Sequence, residues 1–163
     1  MANFSGVIAP VLTPFGEDGS ADADRFIEHC EWLMQEGCTG LAPFGTTSEG
    51  NSLGLDERLE LLEEIVDADI SPEKLMPGTG TPSLAATIVL TKHAVELGCG
   101  GVLVLPPYYY KAPSEEERQA AFPAQPAQLG SERDQVKVMH PNAVVGAQQR
   151  HELFGKQPRD VAV

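Results

Sequence analysis

Four short apolar runs, each closed by small, proline or hydroxyl-bearing residues, recur at roughly 30-residue intervals, the spacing of strand–helix units. They are Gly6-Val7-Ile8-Ala9-Pro10-Val11-Leu12, Thr39-Gly40-Leu41-Ala42-Pro43-Phe44, Leu75-Met76-Pro77-Gly78-Thr79-Gly80 and Gly101-Val102-Leu103-Val104-Leu105. Pro77 weakens the third as a strand. Between the runs, apolar residues at helical spacing predict three helices. The first is capped by Asp22, carries Phe26, Ile27, Cys30, Leu33 and Met34 on one face, and stops at Gly37. The second runs from about Leu55 to Ala68, with Leu59, Leu62 and Val66 inward and Glu60, Glu63 and Glu64 in solvent. The third is capped by Ser83, turns Ala85, Ile88 and Val95 inward, and ends at Gly98; a fourth starts at Ser114-Glu115-Glu116-Glu117. Strands that alternate with helices over short loops pair parallel, so the fold class is α/β.

Polar or glycine-rich clusters follow every strand: Thr13-Pro14, Thr46-Thr47-Ser48-Glu49, Gly78-Thr79-Gly80 and Tyr108-Tyr109-Tyr110. Open doubly wound sheets and (β/α)8 barrels both bind ligands at that edge, and four clusters rather than one phosphate loop favour the barrel. Gly78-Thr79-Gly80 lacks the third glycine of a dinucleotide fingerprint and reads as a tight turn. Thr46 and Thr47 are two hydroxyls beside amides left over where a strand hands over to a helix. They suit turn formation and capping, or a grip on a carboxylate. Tyrosine hydroxyls pass protons when hydrogen-bonded in a chain, or pack at a rim. Because neighbours along extended chain point opposite ways, at least one of the three tyrosines serves packing. His29, His93, His140 and His151 share no metal-ligand spacing, and Trp32 reads as helix packing.

The 163 residues suit one domain with a substantial core. No run approaches the ~18 apolar residues of a membrane span. Cys30, Cys38 and Cys99 form no CxxC pair, which points away from zinc and disulfides and towards a reducing cytoplasm. A formal charge of −13 argues against nucleic acid as a partner. That charge is unevenly spread. Residues 1–117 hold 20 acids against 5 Lys/Arg, a net of −15, whereas residues 118–163 hold 4 against 6, a net of +2. Glutamine occurs once in the first stretch and seven times in the second. The reading is therefore a barrel-like domain over 1–117 and a divergent, irregular tail over 118–163. An out-of-frame origin fits the tail, and translation of the gene in its other frames tests that.

Ala9-Pro10-Val11-Leu12-Thr13-Pro14-Phe15, Gly45-Thr46-Thr47-Ser48-Glu49, Pro77-Gly78-Thr79-Gly80 and Pro106-Pro107-Tyr108-Tyr109 together resemble the N-terminal half of the dihydrodipicolinate synthase/N-acetylneuraminate lyase family, over about residues 4–117. The double threonine and tyrosine pair look closer to the synthase type. The resemblance implies the N-terminal half of a (β/α)8 barrel, about four βα units, in a homo-oligomer that forms a lysine Schiff base with pyruvate or a related 2-oxo acid and needs no cofactor or metal. It implies that Thr47 and the 46–47 backbone hold the carboxylate. Thr46 would be the relay hydroxyl, and Tyr109 the relay tyrosine that crosses a dimer interface. Ser48 stands where the family usually has glycine, so its Cβ is expected to crowd the loop or demand a special φ. The family's lysine and second tyrosine fall beyond residue 118, where neither Lys137 nor Lys156 sits in a matching motif. The chain is thus expected to be a truncated lyase-family member without turnover of its own. The rival reading is a non-catalytic half-barrel association module. A phosphate-binding domain is disfavoured by the acidic charge and the missing lysine loop.

Overall fold

The computed structural model describes residues 4–105, 108–109 and 138–139. Its elements run β1 (Ile8–Pro10), α1 (Ala23–Gln35), β2 (Gly40–Ala42), α2 (Leu55–Asp67), a 3-10 turn (Pro72–Lys74), α3 (Leu84–Glu96), β3 (Val102–Leu103) and β4 (Val138–Met139). The expected fourth helix at Ser114–Glu117, along with Tyr110, His140 and His151, lies outside the described residues.

All the strands are parallel. Ile8 pairs with Gly40, Ala9 with Leu41 and Pro10 with Ala42. Bridges Leu41–Leu75 and Gly78–Leu103 carry the sheet onward through residues 75–79, and Val102–Val138 and Leu103–Met139 add β4. The order is therefore β1, β2, the 75–79 segment, β3, β4. Within the tail expected to be irregular, Val138-Met139 pairs with β3 as a short parallel strand.

The 75–79 segment pairs on both sides yet is not a regular strand, for the reason Pro77 suggests. Met76 and Gly78 donate their N–H groups to Leu41 and Pro43 of the β2 side, at 2.8 and 2.7 Å. Thr79 donates to Leu103 on the other side at 2.9 Å, and Leu103 donates back to the Pro77 carbonyl at 2.9 Å. Pro77 would be the next donor on the β3 side, and it has no N–H.

The helices start and stop where their cap residues require. Asp22 accepts from the Arg25 N–H at 3.1 Å, and Ser83 accepts from Ala86 at 3.3 Å. At α2 the capping side chain comes from inside the helix: Glu57 Oε2 accepts from the Gly54 N–H at 2.7 Å. Gly37 and Gly98 take the positive φ values, 95° and 83°, that end α1 and α3.

The core lies between the sheet and these helices, with Phe26, Leu41, Ile65, Leu75, Met76, Val102 and Val104 all at 2% exposure or less. Two inward faces differ from the sequence expectation. α2 buries Arg58, Leu61, Leu62 and Ile65, one step round from Leu59 and Val66, which are half-buried. α3 buries Thr87, Leu90, Thr91 and Ala94, and leaves Ala85 exposed. Its threonines face inward because their hydroxyls are satisfied there. Thr91 donates to the Thr87 carbonyl at 2.7 Å and its Oγ1 lies in hydrogen-bond contact with Thr79 Oγ1 at 3.0 Å, and Thr87 Oγ1 accepts from the Thr81 N–H at 3.1 Å. Trp32 is half exposed and stacks on His29 at 5.8 Å rather than packing into the core. Burial holds the Cys30 and Cys99 thiols up at about 12, so neither is a ready nucleophile.

Candidate active site

The chain leaves β2 through Pro43 and Phe44 into a left-handed backbone at Phe44, φ 61°. The turn then closes on itself: Glu49 N–H bonds Thr46 O at 3.1 Å, Gly50 N–H bonds Gly45 O at 3.1 Å, and Ser52 N–H bonds Glu49 O at 2.7 Å. These bonds use the later amides of the loop. Among the described residues, neither the amides nor the hydroxyls of Thr46 and Thr47 make a hydrogen bond, and both side chains are exposed.

Phe44 is held from beneath by Phe26, whose ring stacks on it with centroids 5.8 Å apart and planes 21° apart. Its carbonyl is packed so closely that a Cβ on Gly50 or on Gly78 would lie 2.3 Å from the oxygen. Glycine is thus required at both places by close approach, since neither has a positive φ.

Ser48 fits without the expected crowding. It is fully buried, its φ is not positive, and its hydroxyl donates to the Val11 carbonyl at the end of β1. The side chain therefore ties this loop to the first strand. Ser48→Gly should cost about 1–2 kcal/mol of stability, from a lost buried hydrogen bond and a freer backbone, as read by urea unfolding. A neutral or stabilising result would show that the bond contributes nothing.

A cavity of about 270 Å³ opens beside the loop. Thr46, Thr47 and Asn51 supply its polar side chains, and Pro10, Ala42, Phe44, Leu103, Val104 and Leu105 its apolar wall. Gly78 and Gly80 bring bare backbone to the same space. The structure thus brings Thr46 and Thr47 together at one mouth, whereas Tyr109 lies outside the lining and is 71% exposed. Thr13, from the first strand-end cluster, is buried and also outside the lining. Tyr108 donates its hydroxyl to Asn51 Oδ1 at 2.8 Å, which joins the loops after β2 and β3.

Two contributors escape sequence reading. Asn51 is an unremarkable loop residue until Tyr108 reaches it. Arg58 sits one turn into α2, where an arginine reads as surface, yet it is only 4% exposed and donates through Nη2 to the Gly78 carbonyl. Its place in the buried 58, 61, 62, 65 stripe was the available signal. Burial lowers its pKa from the ordinary guanidinium value, and nearby Tyr108 opposes that shift. Among the described residues no group of three or more His, Cys, Asp or Glu is arranged to hold a metal, and no helix is long and apolar enough to cross a membrane.

The fold and cavity define an α/β protein that presents a small-ligand cleft at the C-terminal ends of parallel strands. The chain belongs to the dihydrodipicolinate synthetase family, whose model matches residues 3–122. It is similar to the 4-hydroxy-tetrahydrodipicolinate synthase of Rhizobium meliloti (strain 1021), with 39% identity over 121 residues, 74% of this chain and 41% of that protein. The crystal structure of dihydrodipicolinate synthase from Agrobacterium tumefaciens str. C58 superimposes with a TM-score of 0.75 at 32% identity, covering 78% of this chain and 44% of that one. YagE, a prophage protein of the dihydrodipicolinic acid synthase family from E. coli K12 solved in complex with pyruvate, gives 0.71 at 32% identity, with 84% and 44% coverage. The chain spans 41% of the length of the first of these relatives.

Proposed function

We propose that this chain is the pyruvate-gripping half of a Schiff-base lyase or aldolase of the 4-hydroxy-tetrahydrodipicolinate synthase type, built as the N-terminal half of a (β/α)8 barrel. The observation that carries the reading is the Thr46–Thr47 pair, whose N–H groups and hydroxyls have no partner among the described residues, at the mouth of a small, largely apolar cavity. A short 2-oxo acid matches that lining: its carboxylate meets the 46–47 amides and the Thr47 hydroxyl, and its methyl group meets the apolar wall. Backbone N–H groups at a strand-to-helix turn favour an anion without needing a lysine. Thr46 is assigned the proton-relay hydroxyl and Tyr109 its tyrosine partner, contributed across an interface between copies. The pyruvate complex of the E. coli relative supports the ligand class.

Imine formation needs a lysine amine that attacks the ketone carbon and expels its oxygen as water. Lys137 and Lys156 match no such motif, so this half binds the acid without capturing it. The test treats the isolated chain with pyruvate and borohydride, which would reduce any imine to a stable secondary amine visible by mass. No adduct is expected, and an adduct overturns the claim that the chain lacks turnover. Calorimetric titration with pyruvate should show saturable binding that Thr47→Val weakens at least about tenfold with an unchanged Tm, the loss of one or more charge-assisted hydrogen bonds. Absence of saturable binding in the parent protein defeats the carboxylate reading. Size-exclusion chromatography should show self-association, and association without pyruvate binding would instead favour the non-catalytic module.

A further inference from the structure

Gly78 is gripped from two directions. Its N–H donates to the Pro43 carbonyl at 2.7 Å, and its own carbonyl accepts from Arg58 Nη2. Immediately against its Cα lies the Phe44 carbonyl, the point where the chain turns into Gly45-Thr46-Thr47. The buried guanidinium therefore sits behind the junction of two loops that line the cavity, without lining the cavity itself. At the rim, Tyr108 and Asn51 make a second tie between neighbouring loops.

We propose that Arg58 is a positioning residue for the ligand cleft: by fixing the Gly78 carbonyl it holds the Phe44–Thr47 backbone where the Thr46 and Thr47 amides converge on a carboxylate. Burying a guanidinium among Leu61, Leu62 and Ile65 is costly, and an apolar side chain would cover the same stripe more cheaply. What an apolar residue cannot supply is a donor to Gly78. Lysine is also a poor substitute, since it carries a point charge in place of a planar fork. A displacement of about 1 Å at the carboxylate site is enough to weaken function by orders of magnitude.

The assignment rests on the carboxylate reading for its consequence, and its structural part can be tested separately. In the ligand-free protein, Arg58→Met should shift the amide resonances of residues 44–47 and 78–80, whereas Ile65→Val, a comparable or smaller disturbance of the same helix, should leave them in place. Pyruvate should bind Arg58→Met at least about tenfold more weakly than the parent, with Arg58→Lys in between and Ile65→Val unchanged. Unmoved 44–47 resonances in folded Arg58→Met overturn the proposal whatever pyruvate does. If the parent fails to bind pyruvate while the resonances move as expected, the carboxylate reading falls and the positioning role stands. Should Arg58→Met not fold, Arg58→Lys is read alone, and unchanged 44–47 resonances in it overturn the proposal.

Discussion

Phe26→Ala should lose about 3–5 kcal/mol of unfolding free energy, the cost of emptying a fully buried aromatic site. The larger end of that range is expected, because two effects combine. The cavity would open between α1 and β2, and the ring stacked on Phe44 would be gone. Phe44 holds a left-handed backbone that a bulky residue adopts only when its surroundings enforce it. Removing its support should therefore loosen the 44–47 loop as well as the core. Urea unfolding reads the first effect, and faster hydrogen exchange at Glu49 and Gly50, whose N–H groups bond the Thr46 and Gly45 carbonyls, reads the second. A loss under about 1.5 kcal/mol, or exchange no faster than in the parent, would mean that Phe44 holds its conformation without Phe26.

Gly78→Ala should be nearly as damaging for a different reason. The new methyl would sit 2.3 Å from the Phe44 oxygen, 2.8 Å from the Phe44 carbonyl carbon and 3.1 Å from the Gly45 nitrogen. All three are backbone atoms, so no side chain can swing aside. Relief requires β2 and the 75–79 segment to part, which strains the Gly78–Pro43 hydrogen bond and the Arg58 contact together. A loss of about 3 kcal/mol, or failure to fold, is the expected outcome. Gly45→Ala is the comparison, since a Cβ there meets nothing within 4 Å. Equal effects of the two substitutions would refute the close-approach account.

Much of the frame was legible because it is written in local chemistry. Asp22, Ser83, Gly37 and Gly98 mark helix ends through hydrogen bonds and dihedral angles that involve only a few neighbouring residues, and each acts where expected. The parallel order follows from alternation alone. The inward face of α3 was not legible, because Thr87 and Thr91 look polar until Thr79 and Thr81 arrive to satisfy them. Arg58 was hidden for the same reason, its partner lying 20 residues away. At the site, the cluster Thr46-Thr47 announced itself by composition, whereas the fit of Ser48 depended on the Val11 carbonyl just past β1, which no local reading supplies. Sequence shows which polar groups are present, and only the fold shows which are already occupied.

Pro10 carries a consequence of another kind. The hydrogen bonds from the first strand to the second involve the Val7 carbonyl and the Val11 N–H, so the odd-numbered residues face β2. By that parity the nitrogen of Pro10 lies along the opposite margin, where among the described residues β1 has no neighbour. Its missing N–H costs the existing ladder nothing and leaves a gap between Ile8 and Leu12 on the outer one. An arriving strand would find two donors where a regular edge offers three. Among the described residues, that margin of β1 thus carries a built-in obstacle to regular strand addition.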